Sequence, residues 1–323
     1  MKSKILEVKN LKIVGKSDDD EKVIIDDISF CLERGEILGI VGESGSGKTI
    51  LVKGILNSLP HTCKKTVGDI FYEGKNIYSI SSKELKKIRG FYVSMISDNP
   101  YEILDPIMTV DKQIKETLLT YSDISSKEAT KKEFEIFKAL KMPDPEKMMH
   151  SYPYQLSGGM QQRVSIALTL CGDVNLIIAD DATRSLDVTV AAQILEMLRE
   201  MNIKNKLSML WITHNLPTCA ILANRIMIIH DGRIIEMGPK EEILKNPKHF
   251  YTKVLMEIAP DFSDKKHKKT NSILRNNDVG VQSGCYFSER CNKSFTRCFK
   301  EKPELVLMNN NHWCRCFLYE NER

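Results

Sequence analysis

The sequence predicts an α/β core with a largely parallel sheet covered on both faces. An antiparallel β subdomain, an inserted helical subdomain and a small cysteine-bearing C-terminal extension complete the architecture. Three observations carry this. A glycine-rich loop from Gly42 to Thr49 lies between an apolar run, Glu36–Val41, and a helix-forming stretch, Ile50–Leu56. Three later apolar runs, Leu176–Asp180, Met209–His214 and Ile226–His230, alternate with helical stretches such as Val190–Glu200. Such alternation is the mark of βαβ units around a parallel sheet. Between them, from Asn99 to about Tyr154, Lys and Glu recur at helical spacing around Phe134, Phe137 and Leu140.

The glycine-rich loop reads Gly42, Glu43, Ser44, Gly45, Ser46, Gly47, Lys48, Thr49. Its glycines let the backbone turn tightly and aim several N–H groups at one point. Lys48 adds a positive charge, Thr49 offers a hydroxyl to Mg²⁺, and the helix N-terminus behind them favours an anion. A glycine turn with no phosphate to bind has no need of Lys-Thr at this offset.

The 323 residues suffice for one large domain and an appendage. A formal charge of +4 makes no demand for a nucleic-acid partner. No stretch approaches the ~20 apolar residues that cross a bilayer, and the N-terminus lacks a secretory apolar core. A cytosolic protein is expected, so its nine cysteines should be thiols or metal ligands rather than disulfides. Cys31, Cys63, Cys171 and Cys219 sit in apolar settings and read as core residues.

In chain order, Ile5–Leu11 and Val23–Phe30 are strand-like, with the acidic tract Ser17–Glu21 between them as a solvated hairpin tip. Strands are also expected at Asp69–Tyr72 and Phe91–Ser97. The polar, basic Asp264–Thr270 reads as linker, with attraction to anionic lipid as its alternative. The expected division is a phosphate-binding α/β domain over 1–258, with a helical subdomain at about 99–170, a linker over 259–283 and an extension over 284–323.

A second stretch, Leu156-Ser157-Gly158-Gly159-Met160-Gln161-Gln162-Arg163, completes a pattern. Together with the glycine-rich loop it resembles the signature of ABC-transporter ATPase domains. Leu176–Asp180 is similar to their Walker B strand, Ser185-Leu186-Asp187 to their D-loop, and His214 to their switch histidine. Gly42–Lys48, Met160–Arg163, Asn99–Val110 and Asp187–Val190 resemble the oligopeptide/dipeptide/nickel importer branch. The resemblance implies a P-loop ABC ATPase that binds ATP and Mg²⁺. Ser157, Gly158, Gly159 and Gln161 would touch a triphosphate held by an opposing subunit. Thr49, Asp98 and Asp180 would serve Mg²⁺, and His214 the γ-phosphate.

Two positions depart from that pattern. The family places a glutamate after the Walker B aspartate, and here Asp180 is followed by Asp181. Its carboxylate stands back by ~1.5 Å, whereas a general base needs roughly 2.6–3.2 Å to its proton carrier and contributes about 10²–10⁴-fold. The Q-loop glutamine is replaced by Asp98, which can ligate Mg²⁺ but cannot donate an amide hydrogen bond. No aromatic residue precedes Phe30, so the usual adenine-stacking ring is missing or supplied otherwise. An asymmetric machine is expected, in which this chain's own site is slow and its signature turn completes a site on a non-identical partner.

The tail carries Cys285, Cys291, Cys298, Cys314 and Cys316. Its intervals differ from the short spacing of zinc knuckles. Four thiolates can ligate a 4Fe-4S cluster or a zinc ion, and spacing alone does not choose. Resemblance to the peptide-importer tails implies an iron–sulfur cluster, with Cys316 a better fourth ligand than Cys314. It also implies two transmembrane permease subunits, a second, non-identical ATPase subunit and, indirectly, an extracytoplasmic solute-binding protein. The work would take place at the cytoplasmic face of the cell membrane. Small peptides are the expected cargo, and nickel or metal chelates the rival. An ATP-binding regulatory subunit without turnover is a further alternative, as is a soluble ABC ATPase acting on ribosomes or DNA.

Overall fold

The computed structural model describes residues 3–16, 21–121, 124–258 and 283–320. The acidic tract at 17–20 and nearly all of the expected linker lie outside the described residues. In chain order the chain forms β1 (Lys4–Lys16), β2 (Glu21–Glu33), β3 (Ile37–Val41), α1 (Lys48–Ile55), β4 (Cys63–Tyr72), β5 (Lys75–Asn76), α2 (Ser82–Lys87) and β6 (Val93–Ile96). Next come α3 (Val110–Tyr121), α4 (Ser126–Ala139), α5 (Pro145–Met149), α6 (Gly158–Thr169), β7 (Leu176–Asp180), α7 (Val188–Asn205) and β8 (Ser208–Thr213). Then follow α8 (Leu216–Leu222), β9 (Arg225–His230), β10 (Arg233–Pro239), α9 (Lys240–Lys245) and α10 (Phe250–Ile258). The tail adds α11 (Thr296–Lys300), β11 (Val306–Leu307) and β12 (Trp313–Cys314).

The residues divide into two compact units. The first takes Met1–Ile5, Glu33–Glu36 and Ser79–Leu210, the second Leu6–Leu32, Ile37–Tyr78 and Trp211–Arg323. In the second unit β2, β1, β4 and β5 form a sheet in that order, β1 running antiparallel to β4 with Leu6 opposite Tyr72 and Val8 opposite Ile70. This is the expected antiparallel subdomain, its strands longer than the apolar runs that announced them. A second sheet follows the order β11-β12-β10-β9-β3. Its β3–β9 pair is parallel, from Leu38 opposite Arg225 to Val41 opposite Ile228. Beyond β9 the pairing turns antiparallel. All five residues of β3 are buried. A Cβ on Gly39 would stand 2.0 Å from the Cys219 sulfur, so glycine is what lets α8 press onto this strand. Cys219 and Cys171 are core residues as expected, whereas Cys31 and Cys63 are only half-buried.

The cysteine-bearing tail joins this sheet. β12 pairs with β10, Glu236 opposite Cys314, and β11 pairs with β12. Glu236, fully buried, accepts from the backbone N–H of Lys248 at 2.7 Å and of His249 at 2.9 Å, and lies 2.7 Å from His312 Nε2. A buried carboxylate ringed by donors offsets its desolvation, and here it fastens the tail to the sheet.

In the first unit β6 and β7 run parallel, Val93 opposite Leu176 and Ile96 opposite Ala179. Helix α3 buries Val110, Ile114 and Leu118 on one stripe. Helix α4 opens with a capping box in which Ser125 and Glu128 satisfy each other's backbone N–H groups. Its inward stripe is Ala129, Glu133, Ile136 and Phe137, while Phe134 faces outward. A charged residue thus occupies a core position that the alternation of Lys and Glu did not reveal.

Candidate functional site

In the second unit the chain leaves β3 at Val41 and enters the phosphate-binding loop. A Cβ on Gly42 would fall 2.3 Å from the carbonyl oxygen of Ile229, so only glycine lets the loop lie against β9. Gly45 and Gly47 adopt φ of +84° and +96°, the left-handed region that glycine enters without steric cost. Gly47 stands at the start of α1 with no side-chain cap, and the positive end of the helix there favours an anion. Lys48 is buried and donates to the carbonyls of Gly42 at 2.8 Å and Glu43 at 2.6 Å, with Ser46 Oγ at 3.4 Å. The loop is curled around its ammonium. Ser44, Gly45 and Thr49 are exposed, so this side of the loop is open to solvent. His214, also exposed, occupies the turn between β8 and α8, where Asn215 caps α8 through Thr218 N.

The first unit carries the other expected groups. Ser157 caps α6, its hydroxyl accepting from Met160 N at 3.4 Å. Both Ser157 and Gly158 are exposed, and a Cβ on Gly158 would meet nothing within 4 Å. Gly159 lies against α7, where a Cβ would come 2.7 Å from Val190. Gln161 is buried, and its amide donates to the carbonyls of Pro153 at 2.8 Å and Leu156 at 3.3 Å. That side chain braces the turn carrying Ser157.

Asp180 ends β7, half-buried, and Asp181 follows at φ +48°, a left-handed conformation that Asp tolerates. Asp98 lies just beyond β6, its carboxylate accepting from Ser97 Oγ at 3.3 Å and its carbonyl from Ser185 Oγ at 2.9 Å. One residue of the signature stretch to which the motifs gave no role ties these segments together. Gln162, fully buried on α6, donates to the carbonyls of Ser97 at 2.9 Å and Ala182 at 3.0 Å. It clamps the segment before Asp98 to the segment after Asp181. An amide facing inward beside Val164, Ile166 and Ala167 was the signal that could have found it.

In the tail, Cys285, Cys291, Cys298 and Cys316 line one cavity of about 220 Å³, and Cys314 is not among its walls. Lys248, Lys253 and Lys293 also border it. Burial pushes the Cys285 thiol up to about 11, and the sulfurs of Cys316, Cys298 and Cys291 push the same way. Among the described residues no three His, Cys, Asp or Glu side chains are gathered tightly enough to hold a single metal ion.

The family model described as ABC transporter matches residues 25–184, and the one described as oligopeptide/dipeptide transporter, C-terminal region, matches residues 235–298. The second match begins within β10, the strand that receives the tail. The chain is similar to the oligopeptide transport ATP-binding protein AppD of Bacillus subtilis, at 35% identity over 99% of this chain and 98% of that one. It is similar to OppD of the same organism, also at 35% identity, over 98% of this chain and 89% of that one. The solved structure of cbiO1 from Clostridium perfringens shares the fold with a TM-score of 0.66 at 22% identity, covering 76% of this chain and 92% of that one. Identity sustained from end to end with both Bacillus proteins means that this chain belongs to the ATP-binding subunits of the oligopeptide/dipeptide importer family of ABC transporters.

Proposed function

We propose that this chain is the ATP-hydrolysing motor of an importer of small peptides, working at the cytoplasmic face of a membrane. The observation that carries the reading is a complete phosphate loop within a chain that matches two oligopeptide transport ATP-binding proteins along nearly its whole length. ATP would join two ATPase subunits head to tail, the signature turn at Ser157–Gly159 of one reaching nucleotide on the other, and hydrolysis would release them. No described helix is long and apolar enough to cross a membrane, so two permease subunits would supply the path. The segment from Asp98 to Pro106 suits a grip on a permease loop, for it exposes Tyr101 and Ile103, with Ile107 just beyond. A solute-binding protein would deliver the peptide from outside. The division at 1–258, 259–283 and 284–323 describes motor, linker and extension in this scheme.

The second ATPase subunit would differ from this chain. Asp181 and Asp98 replace a glutamate and a glutamine at the two positions that handle the attacking water and the metal, while Ser157, Gly158 and Gly159 are intact. A slow site here and a competent one completed on the partner follows from that contrast.

The tail would hold a 4Fe-4S cluster on Cys285, Cys291, Cys298 and Cys316. A tetrahedral zinc ion, with Zn–S of roughly 2.3 Å, draws its sulfurs far closer together than a group of eight iron and sulfide atoms does. Four thiols spread around one cavity suit the larger group, and the bordering lysines offset thiolate charge. Bound there, the cluster would cross-link the tail. Iron and acid-labile sulfide assays on anaerobically purified protein test this assignment, and a colourless, zinc-loaded protein would overturn it. The motor itself is tested by reconstituting the chain with its permeases and second ATPase. Hydrolysis should rise when peptide-loaded binding protein is added, and a rate indifferent to peptide counts against the cargo.

A further inference from the structure

Glu43 is a carboxylate inside a loop built to bind anions, and the second unit treats it in an unusual way. Its backbone N–H donates to the Tyr251 hydroxyl at 3.1 Å, and its carbonyl receives Lys48. Its Oε1 is buried with no hydrogen-bond partner, and its Oε2 lies 3.9 Å from Arg290 Nη1. Arg290 comes from the cysteine-bearing tail, immediately before Cys291. Its guanidinium lies over the Phe287 ring, 4.8 Å from the centroid, and reaches His230 Nε2 at 2.9 Å. Arginine has only donors, so the histidine nitrogen accepts and the ring is neutral. Phe287 is fully buried against Tyr251 and His230, with ring centroids 5.2 and 5.4 Å away. The tail therefore holds Glu43 at two points, the carboxylate through Arg290 and the backbone through Tyr251 packed on Phe287.

We propose that Arg290 is a positioning residue for nucleotide binding, a cation lent by the tail that neutralises Glu43 so that the phosphate loop presents net positive charge to a triphosphate. The other charges facing Glu43 are Lys48, which the loop needs for the phosphates, and Asp231, which adds to the negative side. Burial and Asp231 both disfavour the ionised carboxyl, and Arg290 is the opposing charge not engaged by the loop itself. An uncompensated carboxylate a few ångströms from a polyphosphate in a partly buried loop is repulsive on a scale that decides affinity. The arrangement makes the tail part of the nucleotide site. All the groups belong to this chain, so the inference stands independently of what fills the cysteine cavity.

The test is a rescue experiment on the full-length protein, read as the Kd for Mg·ATP by displacement of a fluorescent ATP analogue. Arg290→Ala should weaken binding about tenfold, one unit charge left unbalanced. Adding Glu43→Gln to that variant removes the loop carboxylate that Arg290 balances, leaving Asp231 as the other acid it faces, and the affinity should return to within about threefold of wild type. Should Arg290→Ala not fold, Arg290→Gln, which removes the charge but keeps a polar side chain, carries the same comparison. Wild-type affinity in the arginine variant would overturn the proposal. So would a double variant as weak as the single one, since that is what a merely structural arginine produces.

Discussion

The phosphate loop of the second unit and the region around Asp98 and Asp181 in the first, both assigned to nucleotide chemistry in the proposed motor, are built from different materials. The loop works through backbone: glycines with positive φ, a carbonyl ring around Lys48 and the uncapped start of α1. The Asp98–Asp181 region works through side chains on two segments joined by Gln162. Backbone devices fail when their glycines change, so they are either intact or lost. Side-chain chemistry can be altered by a single methylene while the fold persists. A slow site on a sound scaffold is what that difference allows.

The sharpest way to break the comparison is in the assembled transporter. Replacing Ser157 with a bulky arginine blocks the signature turn and should lower ATP hydrolysis by about 10²-fold or more, the scale of removing an anion donor. Asp181→Asn should change the rate by no more than about threefold, because in the proposed scheme the competent site is the one completed on the partner. Similar losses from the two substitutions would end the case for asymmetry. Next in size, Gly47→Ala places a Cβ 2.9 Å from Ile25 Cδ1 and 3.0 Å from the Ile24 carbonyl at a φ of +96°. Strain of this kind, roughly 1–3 kcal/mol, should weaken Mg·ATP binding by about tenfold to 100-fold, while Asp181→Ala leaves the Kd within about threefold. Titration with a fluorescent ATP analogue reads both.

The loop and the signature turn were legible because their logic is local: glycines, lysine and capping serine act within eight residues of one another. Gln162 was not, because its acceptors lie 65 and 20 residues away and only the packing of α6 brings them together. Arg290 and Glu43 were hidden for the same reason. Nor could two-residue strands such as β12 be read from apolar runs, so the tail's place in the sheet came only with tertiary pairing. Cys316, expected ahead of Cys314 as a fourth ligand, lies on the wall of the cavity that Cys285, Cys291 and Cys298 also line. Glu133 went unrecognised because i, i+4 charge spacing says nothing about which way the stripe faces.

Gln162 offers a middle-sized test. Gln162→Leu keeps the volume, removes both bonds and strands one buried and one part-buried carbonyl, a loss of about 1–3 kcal/mol. Thermal unfolding should register it, and proteolysis within 97–100 and 181–187 should quicken. A substitution that lowers stability without loosening those segments would show that the clamp is only packing.

The smallest effect separates the two units by the sign of their response to pH. In the first, Glu133 is fully buried with both carboxyl oxygens lacking hydrogen-bond partners, and its nearest cation, Lys115 Nζ, is 3.9 Å away. Burial raises it to about 7, Lys115 opposing and Asp111 adding to the rise. The folded carboxyl holds its proton more tightly than the unfolded one, whose ordinary value is 4.5. Its contribution to stability is therefore complete below that value and is lost as pH climbs through 7. In the second unit, burial pushes His230 down to about 3, with Arg290 and His249 pushing the same way. Burial likewise lowers His249 to about 4 against the pull of Glu236. Here the unfolded chain takes the proton first, near its ordinary 6.5. Stability is complete above that point and declines as pH falls toward 4. Hydrogen exchange on peptides from α3–α4 should show protection falling by about 1 kcal/mol between pH 6 and 8. Peptides from β9–α10 should instead lose about 1–2 kcal/mol per histidine between pH 7 and 5. Glu133→Gln should flatten the first slope and leave the second untouched. Slopes of one sign in both units would mean that these buried groups do not govern the local stability of either.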